Sequence, residues 1–478
     1  MLFNSLQFAL FLPVVFILYW FVLPGKLKLQ NLLLLAASYF FYSCWDFRFL
    51  FLLVFSTLLD YSIGLAIDHT HEIRPRKILL FISIVVNLGF LAAFKYYNFF
   101  IHSFETALNN VGFKSNFHVL NLVLPVGISF YTFHGLSYVI DIYKKRIPAV
   151  KNFIVYSLFV SFFPLLVAGP IERATHLLPQ LENKRRFDYA KSVEGLKQIL
   201  WGIFKKVVIA DACAVYVNKI FEKFQNCYGS TLAIGSILFA FQIYCDFSGY
   251  SDVAIGTAKL FNIDLLRNFA FPYFSRDIAE FWRRWHISLS SWFKDYVYIP
   301  LGGNSGSLAV RIRNVFIIFI LSGLWHGGNW TFIVWGALNA IYFIPLVLLK
   351  RNRRNLDIVS KGKLLPSGGE MVQMISTFML TCFAWIFFRS ATIGQAILIV
   401  KAILSRSIFF QPQIFPIQII LLLVLFIIIE WKGREQQFAI QQIGIKLPRF
   451  YRWAFYNILL LFILFSSGKE QPFIYFQF

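Results

Sequence analysis

Long, nearly uninterrupted apolar runs recur along this chain, and no other feature limits its fold so severely. Their cores include Leu6–Val22, Ile78–Phe94, Phe153–Val167, Phe332–Leu349 and Ile417–Ile429. A helix needs roughly 20 such residues to cross a bilayer, where lipid offers the backbone no hydrogen-bonding partner. By that requirement the chain reads as roughly eleven to fourteen spans. Composition agrees, since only 14% of residues are charged, against about 25% in soluble domains. The expected fold class is an all-α polytopic membrane protein. One membrane-embedded domain covers 1–478, with N-terminal spans over 1–120, a core over 121–345, further spans over 346–467 and an aromatic tail at 468–478.

The formal charge of +22 does not point to nucleic acid. The basic residues cluster at the ends of apolar runs, as the positive-inside rule expects. No phosphate loop or RNA-binding signature accompanies them. Clusters at Lys26 and Lys28, Arg74–Lys77, Lys144–Arg146, Lys350–Arg354 and Lys432–Arg452 are assigned to the cytoplasm. Both termini and the hairpin at Cys44–Asp46 then lie outside. The first apolar run lacks a basic n-region and a small-residue cleavage site, so it is taken as a retained span. Five cysteines without CxxC spacing imply neither a disulfide framework nor a thiolate metal site. Between Gly169 and Gly306 polar residues interrupt the apolar pattern. Non-spanning and re-entrant helices are expected there, which survive at membrane depth only where protein or a water-filled cavity surrounds them.

Two histidines stand out. In EFWRRWHISLSSWFKDYVYIPLGG (280–303), apolar residues at Ile278, Phe281, Trp282, Trp285, Leu289, Trp292 and Phe293 mark an amphipathic helix with an aromatic face. Glu280, Arg283, Ser288, Ser291 and Asp295 fall mostly opposite, and His286 borders the stripe. An interfacial helix with a histidine at the lipid boundary accounts for this equally well. In FIIFILSGLWHGGNWTFIVWGALNA (316–340), His326 ends the run Val315–Trp325 just before Gly327 and Gly328. A run of that length covers roughly half a hydrocarbon core, leaving His326 near mid-membrane at a helix break. Ionisable groups at that depth are functional hypotheses first; the alternative is a water-exposed turn. His69 and His71 read as solvated, and His102, His118 and His176 as loop residues. His134 lies inside an apolar span, where a core histidine bonded to a backbone carbonyl explains it as well as a functional one does. No HExxH, cysteine–histidine set or GxSxG elbow occurs, so no metal is expected. IYCDFSGYSD (243–252) places Asp246 and Asp252 beside Tyr244 and Tyr250, as a polar cavity wall or as ordinary inter-helix hydrogen bonding would.

These stretches, with LPVGISFYTFHGLSYVIDIY, FPLLVAGPIERATHLLPQL and the terminal FIYFQF, carry a resemblance. The chain resembles the alginate O-acetyltransferase branch of the membrane-bound O-acyltransferase superfamily, from Leu124 to its last residue. Asn339 departs from the pattern, many relatives having another residue there, often histidine. The resemblance implies a helical bundle with a funnel and tunnel through a thinned core, in a bacterial cytoplasmic membrane. It implies acyl transfer from a cytoplasmic thioester, acetyl-CoA, toward an extracytoplasmic polysaccharide or peptidoglycan. An extracytoplasmic acetyltransferase resembling SGNH hydrolases would be the partner, and no cofactor would be permanently bound. The family's principal histidine falls on His326 and its second polar residue on His286. Trp282, Trp285, Asp246, Tyr250 and Asn329 are the expected substrate contacts. Related systems have a C-terminal F-x-Y-F-x-F peptide whose tyrosine accepts the acyl group, which here is Tyr475.

A tyrosine titrates near 10, so at neutral pH about one in a thousand is ionised. Activating it against a thioester calls for roughly 4 kcal/mol of help from a base, which a neutral histidine in a dry cavity supplies. His326 is expected to be that base and His286 to orient it, the donor carbonyl or the oxyanion. The tail would then be a tethered carrier, whereas an interfacial aromatic anchor is the plainer account of Tyr475. A D-alanyl-type donor on a carrier protein, a transporter and a non-catalytic scaffold are the competing functions. Against a transporter, the sequence has one convincing helix break rather than a pair in corresponding halves.

Overall fold

The computed structural model describes residues 1–113, 119–120, 122–443, 448–466 and 471–474. His118 and Tyr475 lie outside the described residues. Among those described there are helices and loops and no strand. The chain divides into two compact units, Met1–Leu196 with Ala254–Leu266, and Lys197–Val253 with Arg267–Phe478.

The first unit opens with α1 (Leu6–Ile17), α2 (Leu27–Ser43), α3 (Phe47–His69), α4 (Ile73–Leu91) and α5 (Tyr97–Asn110). It continues through α6 (Ile128–Tyr143), α7 (Phe153–Ser161), α8 (Phe163–Leu166) and α9 (Ala174–Glu182). α10 (Tyr189–Ile203) carries the chain onward into α11 (Asp211–Glu222) and α12 (Gly229–Leu260). Cys44–Asp46 is the expected hairpin, with the Asp46 side chain capping α3. The run Phe153–Val167 is not one helix. Pro164 has no N–H to give Val160, so the helix breaks at Phe162. His134 sits in α6, where its Nε2 accepts the Glu172 N–H at 3.0 Å. Glu172 in turn accepts from Leu266 N–H at 2.6 Å and pairs with His176 Nδ1 at 2.7 Å. That pairing holds the His176 imidazole protonated above its usual range, and His176 belongs to α9 rather than to a loop. His102 likewise lies within α5.

The second unit holds the two sequence-predicted histidines. Its short helices α13 (Ile278–Arg284) and α14 (Ile287–Phe293) precede the hairpin of α15 (Leu308–His326) and α16 (Trp330–Leu348). α17 (Gly368–Arg389), α18 (Ile393–Ile403), α19 (Ile417–Gly433) and α20 (Arg449–Ser466) complete it. Glycines set the closest helix approaches. A Cβ on Gly323 would collide with the Phe332 carbonyl, and one on Gly336 with the Phe319 carbonyl. α15 and α16 therefore pack backbone against backbone.

Six helices among the described residues are long and apolar enough to cross a membrane: Phe47–His69, Ile73–Asn110, Gly229–Leu260, Leu308–His326, Trp330–Leu348 and Gly368–Arg389. The remaining apolar runs form shorter or bent helices, among them Leu6–Val22 and Phe153–Leu166. The stretch 169–306 holds the expected short helices, α9, α10, α11, α13 and α14, and one candidate span, α12. Two expectations are corrected. The amphipathic helix expected across 278–293 is two helices broken at Trp285–His286. α15 begins at Leu308, so the run ending at His326 is a full-length helix that absorbs the basic residues Arg311 and Arg313 into its first turns.

Candidate active site

The break between α13 and α14 places His286 in the left-handed region, at φ 42°. That conformation is uncommon outside glycine and needs support from elsewhere. Asn268 supplies it. The Ile287 N–H donates to the Asn268 carbonyl at 2.9 Å, and Ser288 Oγ donates to Asn268 Oδ1 at 2.9 Å. His286 Nδ1 lies 3.0 Å from the same oxygen. With that oxygen accepting, the proton sits on Nδ1 and the lone pair on Nε2. His286 is 1% exposed, so its ring faces protein rather than lipid. Burial pushes its pKa down to about 3, so the imidazole is neutral at ordinary pH.

α13 is pinned by charge. Glu280, expected opposite the aromatic stripe, is buried and holds Arg276 at 3.0 Å and Arg284 at 2.7 Å. Arg283 donates to the carbonyls of Asn352 and Asn355 at 2.8 and 2.7 Å. Arg276 reaches Asp357 at 2.9 Å and keeps that carboxyl below the usual carboxylate range. These charge-assisted bonds fix the basic loop after α16 onto the helix that carries Trp282 and ends at Trp285.

His326 is the last residue of α15 and is 2% exposed. Trp335 and Phe388 meet its ring edge-to-face, each at 5.1 Å between centroids. Gly327 follows in extended backbone, where any Cβ would run into the Phe332 ring. Trp325 links the two histidines, its ring centroid being 5.5 Å from His286 and 5.0 Å from His326. Trp285 stacks on Phe281 at 5.5 Å and approaches Trp385 at 5.1 Å. Trp282 lies 5.7 Å from Trp335. One aromatic cage thus surrounds both imidazoles.

Trp282 also lines a cavity of about 400 Å³ with Phe319, Ser322, Lys294, Asn304 and Arg353. Ser322 is one helical turn before His326 on α15. A second cavity of about 620 Å³, lined by Phe241, Tyr273, Phe378 and Glu430, touches neither histidine.

Asp246 and Tyr250 lie on α12 beside Phe247, whose ring meets His286 edge-to-face at 4.6 Å. Asp246 pairs with Lys206 at 2.7 Å, and Lys206 with Asp211 at 2.8 Å. Lys205 pairs with Asp252 at 2.6 Å and donates to Ser248 at 2.9 Å. Gly202 and Gly249 let this crossing close, since a Cβ on either would meet the other's carbonyl oxygen at 2.5 and 2.7 Å. The turn at Phe204–Ala210 is a π-helix. Its wider winding lets two consecutive lysines reach the same partner helix. The tail enters here as well. Phe473 and Ile474 are buried, with the Phe473 ring 4.6 Å from Tyr250 and 6.0 Å from Phe247.

Asn329 stands apart from the others. Its Oδ1 accepts the Thr331 N–H at 3.0 Å, capping α16, and its amide donates to the Ala391 carbonyl at 3.0 Å. Helix capping accounts for it. Lys205, Lys206, Asp211, Asn268, Trp335 and Phe388 were not singled out from sequence. The two lysines carried a usable signal, being adjacent charges in an apolar stretch.

The profile of the MBOAT, membrane-bound O-acyltransferase family, matches residues 144–388, which contain both histidines and Asp246. The chain is 36% identical over 504 aligned residues to the probable alginate O-acetylase of Pseudomonas putida, covering 100% of each. It is 36% identical over 437 residues to the peptidoglycan O-acetyltransferase of Helicobacter pylori, covering 85% of this chain and 80% of that one. It is 27% identical over 292 residues to the teichoic acid D-alanyltransferase of Bacillus subtilis, covering 56% and 69%. This multi-pass chain therefore belongs to the membrane-bound O-acyltransferase family, on the branch of the alginate O-acetylases, and is an O-acyltransferase.

Proposed function

We propose that this protein takes an acetyl group from cytoplasmic acetyl-CoA and passes it across the bacterial inner membrane for O-acetylation of an extracytoplasmic polysaccharide or peptidoglycan. The observation that carries the reading is the buried cage around His286 and His326, with the last described residues of the tail packed one ring away. The named relatives act on alginate and on peptidoglycan, which supports an extracellular polymer as the final acceptor.

In this mechanism the donor enters the cavity beside Trp282, its phosphates near Lys294 and Arg353 and its thioester toward His326. The Tyr475 hydroxyl oxygen attacks the thioester carbonyl carbon while His326 takes the phenolic proton. The C–S bond breaks, the thiolate leaves and is reprotonated by the imidazolium, and the acetyl group remains as a tyrosyl ester. His286, neutral and with its Nδ1 proton held by Asn268, presents only a lone pair at Nε2, so of its expected roles it keeps that of orienting His326 as a hydrogen-bond acceptor. Dry aromatic walls strengthen each polar interaction and keep water from hydrolysing the thioester. The acetylated tail then delivers its group outside to a separate acetyltransferase of the SGNH-hydrolase type.

Mass spectrometry of the C-terminal peptide after incubation with acetyl-CoA tests this. Wild type is expected to gain one acetyl group on Tyr475. His326→Ala should lower the rate by roughly 10²–10⁴-fold. Tyr475→Phe keeps the ring and removes the nucleophile; full polymer acetylation in that variant would eliminate the carrier and leave direct transfer at His326.

A further inference from the structure

The tail is held by its main chain. Lys206 Nζ donates to the Gln471 carbonyl at 3.0 Å, and the Gln471 main chain also hydrogen-bonds to Asp211. Asp246 Oδ2 accepts the Ile474 N–H at 2.7 Å. Between these points Phe473 inserts its ring against Tyr250, which also lies with its ring centroid 5.7 Å from the Lys206 ammonium. The Lys206 and Asp246 side chains are 3% and 4% exposed.

One lysine between two carboxylates is expensive to bury unless further hydrogen bonds complete it. Here the tail backbone supplies them. Stapling the α10–α12 crossing does not require this second lysine, because Lys205, Asp252 and Ser248 already do that one residue away, and Gly202 and Gly249 close the approach. What Lys206, Asp211 and Asp246 add is a grip on Gln471 and Ile474. The geometry points to these three side chains as a clamp that sets the register of the C-terminal tail at Gln471–Ile474 and so governs delivery of the residue that follows. They are positioning residues, and the delivery half of the inference rests on the carrier reading above. Because the grip on Gln471 is on its peptide groups, substitution of this half-buried residue is expected to be tolerated, whereas truncation of the buried Phe473 or Ile474 to alanine is not.

Thiol labelling of the full-length protein tests the clamp without reference to activity. In a Cys44→Ser, Cys227→Ser background, Ile474→Cys is expected to react slowly with N-ethylmaleimide. Adding Lys206→Met or Asp246→Ala should speed labelling by at least about tenfold, the scale of a lost charge-assisted hydrogen bond. Lys206→Arg, which keeps the donor, should restore slow labelling and tail acetylation together. In Lys206→Met the Michaelis constant for acetyl-CoA should hold within about twofold while tail acetylation falls about tenfold or more, a split that general misfolding would not produce. Equal labelling with and without Lys206 and Asp246 overturns the clamp. So does failure of Lys206→Arg to rescue a variant whose melting temperature is unchanged. If the thiol introduced by Ile474→Cys is protected only by an intact clamp, yet Tyr475→Phe acetylates polymer normally, the carrier fails and the clamp stands.

Discussion

A histidine walled by indoles and phenyl rings is a different base from one in water, and His286 shows the consequence most directly. Its imidazole is held down to about 3 in the folded protein, against about 6.5 in an unfolded chain. Between those values the unfolded chain binds a proton that the folded one refuses, so stability falls as pH falls below 6.5. The loss is about 1.4 kcal/mol per pH unit, or about 2 kcal/mol by pH 5. The thermal midpoint of wild type should therefore drop between pH 7 and 5, and His286→Gln should flatten that dependence. An unchanged slope in the variant would mean that the ring already protonates in place. Both histidines were legible in sequence because a titratable group in an apolar stretch is conspicuous. The left-handed turn at His286 was not, since Asn268, far from the helical pattern, imposes it.

At the scale of elements, the site depends on how closely helices approach. Gly323 and Gly336 put the backbones of α15 and α16 in contact, and Gly327 lets the chain turn against Phe332 directly after His326. Gly323→Ala or Gly336→Ala must part the two helices, because the obstructing atoms are backbone carbonyls that have no rotamer to change. The expected cost is about 1–3 kcal/mol. The thermal midpoint should fall, and CoA release should fall with it as His326 leaves the cage. Activity equal to wild type would detach the hairpin from the chemistry. The same scale explains how one span lies within the polar middle of the chain. Gln242, Asp246 and Asp252 interrupt the hydropathy of α12, yet Asp246 and Asp252 face Lys206 and Lys205 across the Gly202–Gly249 contact. A polar residue argues against a span only if it faces lipid, and periodicity does not say what it faces.

At the scale of the whole molecule, the basic loops predict an orientation that cysteine chemistry can check. Cys44 is exposed, whereas Cys213, Cys245 and Cys382 are buried. In a Cys227→Ser background, a membrane-impermeant maleimide should label Cys44 in intact spheroplasts. Labelling that appears only after lysis would invert the topology and place the tail on the donor side. The sequence alone determined the membrane class, the acyltransferase family and the two candidate histidines. Apolar length, basic flanks and short motifs are local properties, and a chain displays them before it folds. Only the tertiary structure decided that His286 and His326 share Trp325, that two adjacent lysines grip one helix, and that Gln471 and Ile474 are seated by main-chain bonds. Those facts arise from contacts between residues tens to hundreds of positions apart, and from peptide groups that are chemically alike along the whole chain.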